Sequence, residues 1–237
     1  MNLLNVLLQV TALQQDGAPL DLSGEVIPAE AQINILALAT KGGWIMIVLL
    51  ILSIIALYIF IQRWMVISKA TKIDDSFMSR IKDYIHDGKI DSALKLCKTA
   101  KSPMGRMIGK GISRLGRPVN DILASIENAG NIEVAKLEKG FPLIATTAAG
   151  APMIGFLGTV TGMVRAFYDM ANAGANVDIQ LLSNGIYEAL VTTVAGLIVG
   201  IIALFAYNYL VARVDSVVNK METTTMDFMD LLNEPVN

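Results

Sequence analysis

Three stretches of the chain run without a single Asp, Glu, Lys or Arg: residues 42–62, 140–164 and 189–212. An α-helix rises about 1.5 Å per residue, so about 20 apolar residues cross a hydrocarbon core of about 30 Å. At 21, 25 and 24 residues, all three stretches are long enough. The first is almost wholly aliphatic, with Trp44 and Trp64 at its two ends. Indoles settle at headgroup level, so this pair reads as membrane-interface anchors on a lipid-facing span.

The second and third stretches are patterned differently. At 100° per residue, Thr147, Ala148, Ala151, Gly155, Gly158, Thr159 and Gly162 share one arc of the helix, while Met153, Phe156, Leu157, Val160 and Val164 share the opposite one. In the third stretch Gly185, Ala189, Thr192, Thr193, Gly196 and Gly200 lie on one side, and Val191, Val194, Ile198, Ile201 and Phe205 on the other. Small residues let helices approach closely, so Gly155, Gly158, Gly162, Gly196 and Gly200 are expected to serve helix packing. Close packing alone accounts for the glycines. It accounts less well for the threonines, since Ala would pack as tightly.

Outside these windows the chain resembles a soluble protein in its charge density, because all 40 charged residues fall on the remaining 167. Basic residues near span ends mark the cytoplasmic side. Residues 1–40 hold four acids and no Lys or Arg, whereas residues 63–139 hold 15 basic and 9 acidic side chains. The expected topology is therefore N-out and C-in, with three spans. It divides the chain into a periplasmic segment (1–40) with an interfacial helix over residues 2–13, a first span (41–64) and a helical cytoplasmic domain (65–139). A second span (140–168), a short periplasmic loop (169–185), a third span (186–212) and a cytoplasmic C-terminal helix and tail (213–237) complete it. A cleaved signal is the alternative for the first residues, although they lack a basic leader and a clear cleavage site.

Within residues 65–139, helix breaks are expected at Asp87-Gly88, Lys101-Ser102-Pro103 and Gly116-Arg117-Pro118. Ile122, Ile126, Ala129 and Ile132 recur at helical steps. That run is expected to join the second span as one long helix, with Pro142 near its membrane entry. After the third span, Val214, Val217, Val218 and Met221 carry a helical stripe onward. The fold class is all-α membrane protein, with long second and third helices reaching into a helical cytoplasmic domain.

Candidate chemistry is sparse. One cysteine, Cys97, and one histidine, His86, leave no disulfide, structural zinc site or Ser-His-Asp arrangement to propose. No metal, cofactor or catalytic residue is expected. A net charge of −2 gives no bulk attraction to nucleic acid. Glu188, at the outer mouth of the third span, is the carboxylate nearest any uncharged window, with Thr192 and Thr193 about one turn beyond. Ionisable groups in membranes are costly and default to functional candidates; an interfacial carboxylate in contact with outside water is the equal alternative. Threonine hydroxyls can orient water or solvate a carboxylate, but they carry no proton as stable ions near neutral pH. If protons cross here, the main titrating group belongs to another chain.

At this point the residues point to a family. Residues 151–163, Ala-Pro-Met-Ile-Gly-Phe-Leu-Gly-Thr-Val-Thr-Gly-Met, with Phe167 following, resemble the AP-x-x-G-L-x-GTV-x-GM signature of the MotA/TolQ/ExbB proton-channel family. Residues 185–197, Gly-Ile-Tyr-Glu-Ala-Leu-Val-Thr-Thr-Val-Ala-Gly-Leu, with Tyr207-Asn208, resemble its GI-x-EAL-x-x-T-x-x-GL…YN pattern. Two positions depart from it: Ile202 stands where a Pro is usual after the third-span Gly-Leu run, and Gly150 where Thr or Ala precedes Ala-Pro.

The resemblance implies a subunit of an inner-membrane motor, and three spans look like the ExbB or TolQ branch. It implies a homopentamer whose second and third spans surround the single-span helices of an ExbD- or TolR-type partner. The partner's Asp would take up periplasmic protons and release them to the cytoplasm, driving a TonB- or TolA-type protein. By position, Thr159 and Thr193 match the threonines facing that Asp, and Glu188 the family glutamate near the outer end; Thr192 is added as a further hydroxyl on the path. The rivals are a small-solute carrier, disfavoured by three unbroken spans, and a non-conducting scaffold.

Overall fold

The structure, a computed structural model, describes residues 43–71, 76–100, 102–172 and 179–233. The expected interfacial helix over residues 2–13 lies outside them, as does the middle of the expected loop 169–185. Seven helices and no strand are present among the described residues: α1 (Gly43–Thr71), α2 (Phe77–His86), α3 (Ile90–Ala100), α4 (Pro103–Ile112), α5 (Val119–Leu137), α6 (Phe141–Asn172) and α7 (Ile179–Asn233). Helices α1, α6 and α7 are long and apolar enough to cross a membrane.

Local chemistry explains the ends. Gly88 and Gly116 adopt φ of 68° and 91°, which only glycine takes without strain, and they separate α2 from α3 and α4 from α5. Ser102 caps α4 by accepting from the Gly105 amide at 3.0 Å. Pro103 takes the first helical position, where a missing N–H costs nothing.

The continuous helix expected from residues 120–139 into the second span is not formed. Helix α5 ends at Leu137, Gly140 turns the chain at φ 93°, and α6 starts afresh at Phe141. Pro142 consequently sits in the first turn of α6, where it breaks no hydrogen bond. Arg63, near the end of α1, secures this elbow: its Nη1 donates to the Lys136 carbonyl at 3.2 Å, one of the carbonyls left over at the end of α5. By contrast α7 is unbroken over 55 residues, roughly 80 Å at helical rise, and so runs from the membrane deep into the helical domain.

Two cores result. The larger gathers Ile81, Cys97, Met107, Ile108 and Ile126 of α2–α5 around Val214, Val217, Met221 and Phe228 of α7. The smaller is thin: Ile45 and Leu49 of α1 meet Ala151 of α6. Over the rest of their length the three membrane helices present large apolar side chains outward, as suits elements solvated by lipid or by further helices. The Phe60 ring of α1 and the Tyr209 ring of α7 pack at a tilt, 6.2 Å between centres, and the Arg213 guanidinium lies 5.9 Å from the Tyr209 ring centre.

Candidate functional site in the seam between α6 and α7

The small-residue arcs of α6 and α7 meet each other within one chain. A Cβ on Gly155 would fall 2.8 Å from the Thr192 carbonyl oxygen, and one on Gly196 would fall 2.6 Å from that of Ala151. Gly162 leaves 3.1 Å to the Ala189 Cβ, Gly158 receives the Thr192 side chain, and Gly200 receives the ring of Pro152. Gly185 makes room for Ala166 at the end of the same seam where α7 begins. Backbone thus approaches backbone along several turns, an arrangement that any side chain larger than hydrogen would wedge open. On the opposite arc Met153, Phe156 and Val164 are exposed, as are Val194, Ile198 and Phe205.

The threonines occupy distinct places along this seam. Thr147 is buried and back-bonds to the Leu143 carbonyl at 2.9 Å. Thr192 is 1% exposed, and its hydroxyl donates to the Ala189 carbonyl at 2.8 Å. That hydroxyl is turned into the contact between α6 and α7, beneath Gly158, and away from any open side. Thr161 is exposed and back-bonds to Leu157 at 2.9 Å.

Thr159 and Thr193 sit at the edge of the seam, both half-buried. Their hydroxyls hydrogen-bond to each other across the two helices. Thr193 Oγ1 also lies 3.2 Å from the Gly155 carbonyl oxygen and 3.4 Å from that of Ala189. Two hydroxyls bring two protons and four lone pairs. After bonding each other and one carbonyl, the pair retains acceptor lone pairs and can swing a proton toward a group arriving from the open side. It can therefore solvate water or a carboxylate at a depth where the surrounding wall is aliphatic.

Glu188 is half-buried, one and a half turns before Thr193 toward the start of α7. Its carboxylate lies against the backbone of Gly43, where α1 begins, and a Cβ there would collide with Oε1. Gly43 has φ 63°, so the position favours glycine on two counts. The first amides of a helix lack intrahelical partners and carry partial positive charge, which favours an acidic neighbour. Nothing in the sequence signals this contact: 145 residues separate the two, and Gly43 reads as a routine helix start. Trp44 and Trp64 stand at 67% and 47% exposure near the two ends of the apolar part of α1.

Comparison with known proteins identifies the family. The sequence model of the MotA/TolQ/ExbB proton channel family matches residues 99–223, which takes in the seam, Thr159, Glu188 and Thr193. An ExbB-like biopolymer transport protein of Synechocystis sp. is 32% identical over 178 residues, 73% of this chain and 68% of its own length. The Tol-Pal system protein TolQ of Haemophilus influenzae is 30% identical over 203 residues, 79% of this chain and 88% of its own. The biopolymer transport protein ExbB of Neisseria meningitidis is 26% identical over 180 residues, 70% of this chain and 80% of its own. With three apolar helices, a glycine seam and this match over more than half its length, the chain is a membrane protein of the MotA/TolQ/ExbB proton channel family.

Proposed function

We propose that the chain is the ExbB-like ring subunit of a proton-driven motor in the inner membrane, working with ExbD-type single-span helices to energise a TonB-type protein. The observation that carries this reading is the hydroxyl pair Thr159–Thr193, set at the edge of a glycine seam in otherwise apolar spans. In a homopentamer, five such pairs would ring a central space holding the partner helices.

The mechanism is electrostatic. An ionised carboxylate on the partner is costly against an aliphatic wall and tolerated beside the two hydroxyls and water. Protonation neutralises it, and the partner helix is then free to move past the wall to the next subunit. Each proton descending the membrane potential supplies about 2.3 kcal/mol per 100 mV. Glu188, close to the outer end of α7, would keep the entrance hydrated in the N-out orientation. Thr192 packs its side chain against Gly158 of α6, while its hydroxyl back-bonds within α7 to Ala189.

Reconstitution of the full chain into liposomes tests this directly. Proton flux in the presence of its ExbD-type partner, and none without it, separates a motor subunit from a scaffold. A TolQ-like role is the second reading, favoured by the 88% coverage of the TolQ relative. Co-purification decides between them: a TonB-type protein supports the first, a TolA-type protein the second.

A further inference from the structure

Helices α3, α4 and α5 leave between them a groove of about 500 Å³, well removed from the hydroxyl pair. Its floor is apolar and close to backbone: Leu94, Cys97, Gly105, Gly109, Ala129 and Ile132. A Cβ on Gly105 would fall 2.7 Å from the Cys97 carbonyl oxygen and one on Gly109 3.2 Å from the Cys97 Cβ, so both floor positions favour glycine. Around this floor stand four cations, Lys98, Arg106, Lys110 and Lys136, and a single carboxylate, Glu133.

Glu133 does not neutralise the rim. Its side chain is 5% exposed, with one oxygen held by Arg106 at 2.5 Å and the other by Lys136 at 2.7 Å. Burial pushes its carboxyl up, but those two cationic hydrogen bonds outweigh it and hold the group below the ordinary glutamate range. Lys98 and Lys110 are exposed, and among the described residues neither ammonium has an ion pair. Two positive charges therefore face the groove uncompensated.

The Lys136 edge of the groove adjoins two of the membrane-spanning helices. Lys136 stands five residues before Phe141, the first residue of α6, and its carbonyl is tied to Arg63, the neighbour of Trp64. An apolar floor, a rim of net positive charge and an edge beside two membrane spans are together complementary to an amphipathic anion.

We propose that this groove binds an anionic phospholipid, with Lys98 and Lys110 pairing with the phosphate oxygens and the first acyl carbons lying over Cys97 and Gly109. A soluble phosphate would satisfy the lysines and leave the apolar floor unused. The site would anchor the helical domain to the adjoining leaflet, independently of how protons cross.

The test uses the full-length protein in neutral detergent micelles, with short-chain phosphatidylglycerol as the probe and thermal unfolding as the readout. Phosphatidylglycerol is expected to raise the unfolding midpoint and phosphatidylcholine to leave it unchanged. The variant Lys98→Ala/Lys110→Ala removes only exposed side chains and should fold; its apparent affinity for phosphatidylglycerol should fall roughly ten-fold or more. Equal stabilisation of the variant, or by phosphatidylcholine, overturns the proposal. So does full replacement of the lipid by inorganic phosphate or glycerol phosphate, which would make the ligand a soluble one. Dissociation of the lipid-free variant into smaller assemblies on size exclusion overturns it as well, since the groove would then be a contact between copies.

Discussion

Thr159 and Thr193, 34 residues apart in sequence, bond hydroxyl to hydroxyl across the seam of α6 and α7. Both are half-buried, whereas Thr192 beside them is shut inside. Adjacent threonines on one helix thus do different work: Thr192 is sealed into the packing against Gly158, and Thr193 reaches the edge of the seam, where its hydroxyl meets Thr159.

That difference is testable by isosteric change. Thr159→Val and Thr193→Val remove a hydroxyl and keep the shape. Each should abolish proton flux in reconstituted liposomes while lowering unfolding stability by only about 0.5–1.5 kcal/mol, as for other interhelical bonds in membranes. The double variant should lose no more stability than the worse single one by much, because either change already breaks the shared bond. Flux at the wild-type level in both single variants would remove them from the path.

The glycine seam should tolerate no bulk. Gly196→Val would drive a side chain against the Ala151 carbonyl, which is already within 2.6 Å of a bare Cβ. Overpacking of this kind costs about 1–3 kcal/mol or more. Loss of protease resistance, or a lowered unfolding midpoint in detergent, is the expected readout. Gly150→Val is the control, since nothing lies within 4 Å of a Cβ there.

Gly43 should act through Glu188. Gly43→Val places a side chain where the carboxylate now lies and strains a backbone at φ 63°. Proton flux is expected to drop, and to drop no further when Gly43→Val is added to Glu188→Gln. Additive losses would show that the two residues act separately.

Glu133 offers a pH signature. Its carboxyl titrates below the ordinary range because Arg106 and Lys136 favour the ionised form over the cost of burial. Its contribution to stability is therefore complete above the unfolded-state value, about 4.3, and fades as pH falls through the depressed folded-state value. Glu133→Gln should cost about 1–2 kcal/mol at pH 7, with both cations partly in solvent. The gap between wild type and variant should close in acid; a gap that stays constant with pH would contradict the ion-pair account.

The elbow at Gly140 should depend on glycine. At φ 93°, with Ile59 Cγ2 3.0 Å from a bare Cβ, Gly140→Ala should cost about 1–2 kcal/mol. Its readout is again the unfolding midpoint.

Much of this molecule could be read along the chain because the signals are local. Freedom from charge over 21 to 25 residues marks the membrane helices, and the 3.6-residue period sorts Gly155, Gly158 and Gly162 from Phe156 and Val160 before any contact is known. Glycine and proline at Gly88, Pro103 and Gly116 mark the breaks in the same way. Other features depend on what arrives from elsewhere in the chain. Glycine occurs both in packed helices, as at Gly155, and at turns, so the residue type alone did not mark Gly140 as an elbow; in the fold, Arg63 and Ile59 lie beside it. Periodicity puts Thr192 and Thr193 on one side of α7; the angle at which α6 crosses decides which hydroxyl is sealed and which reaches Thr159. The contact of Glu188 with Gly43 joins residues that share no local pattern, and only the packing of α1 against α7 creates it.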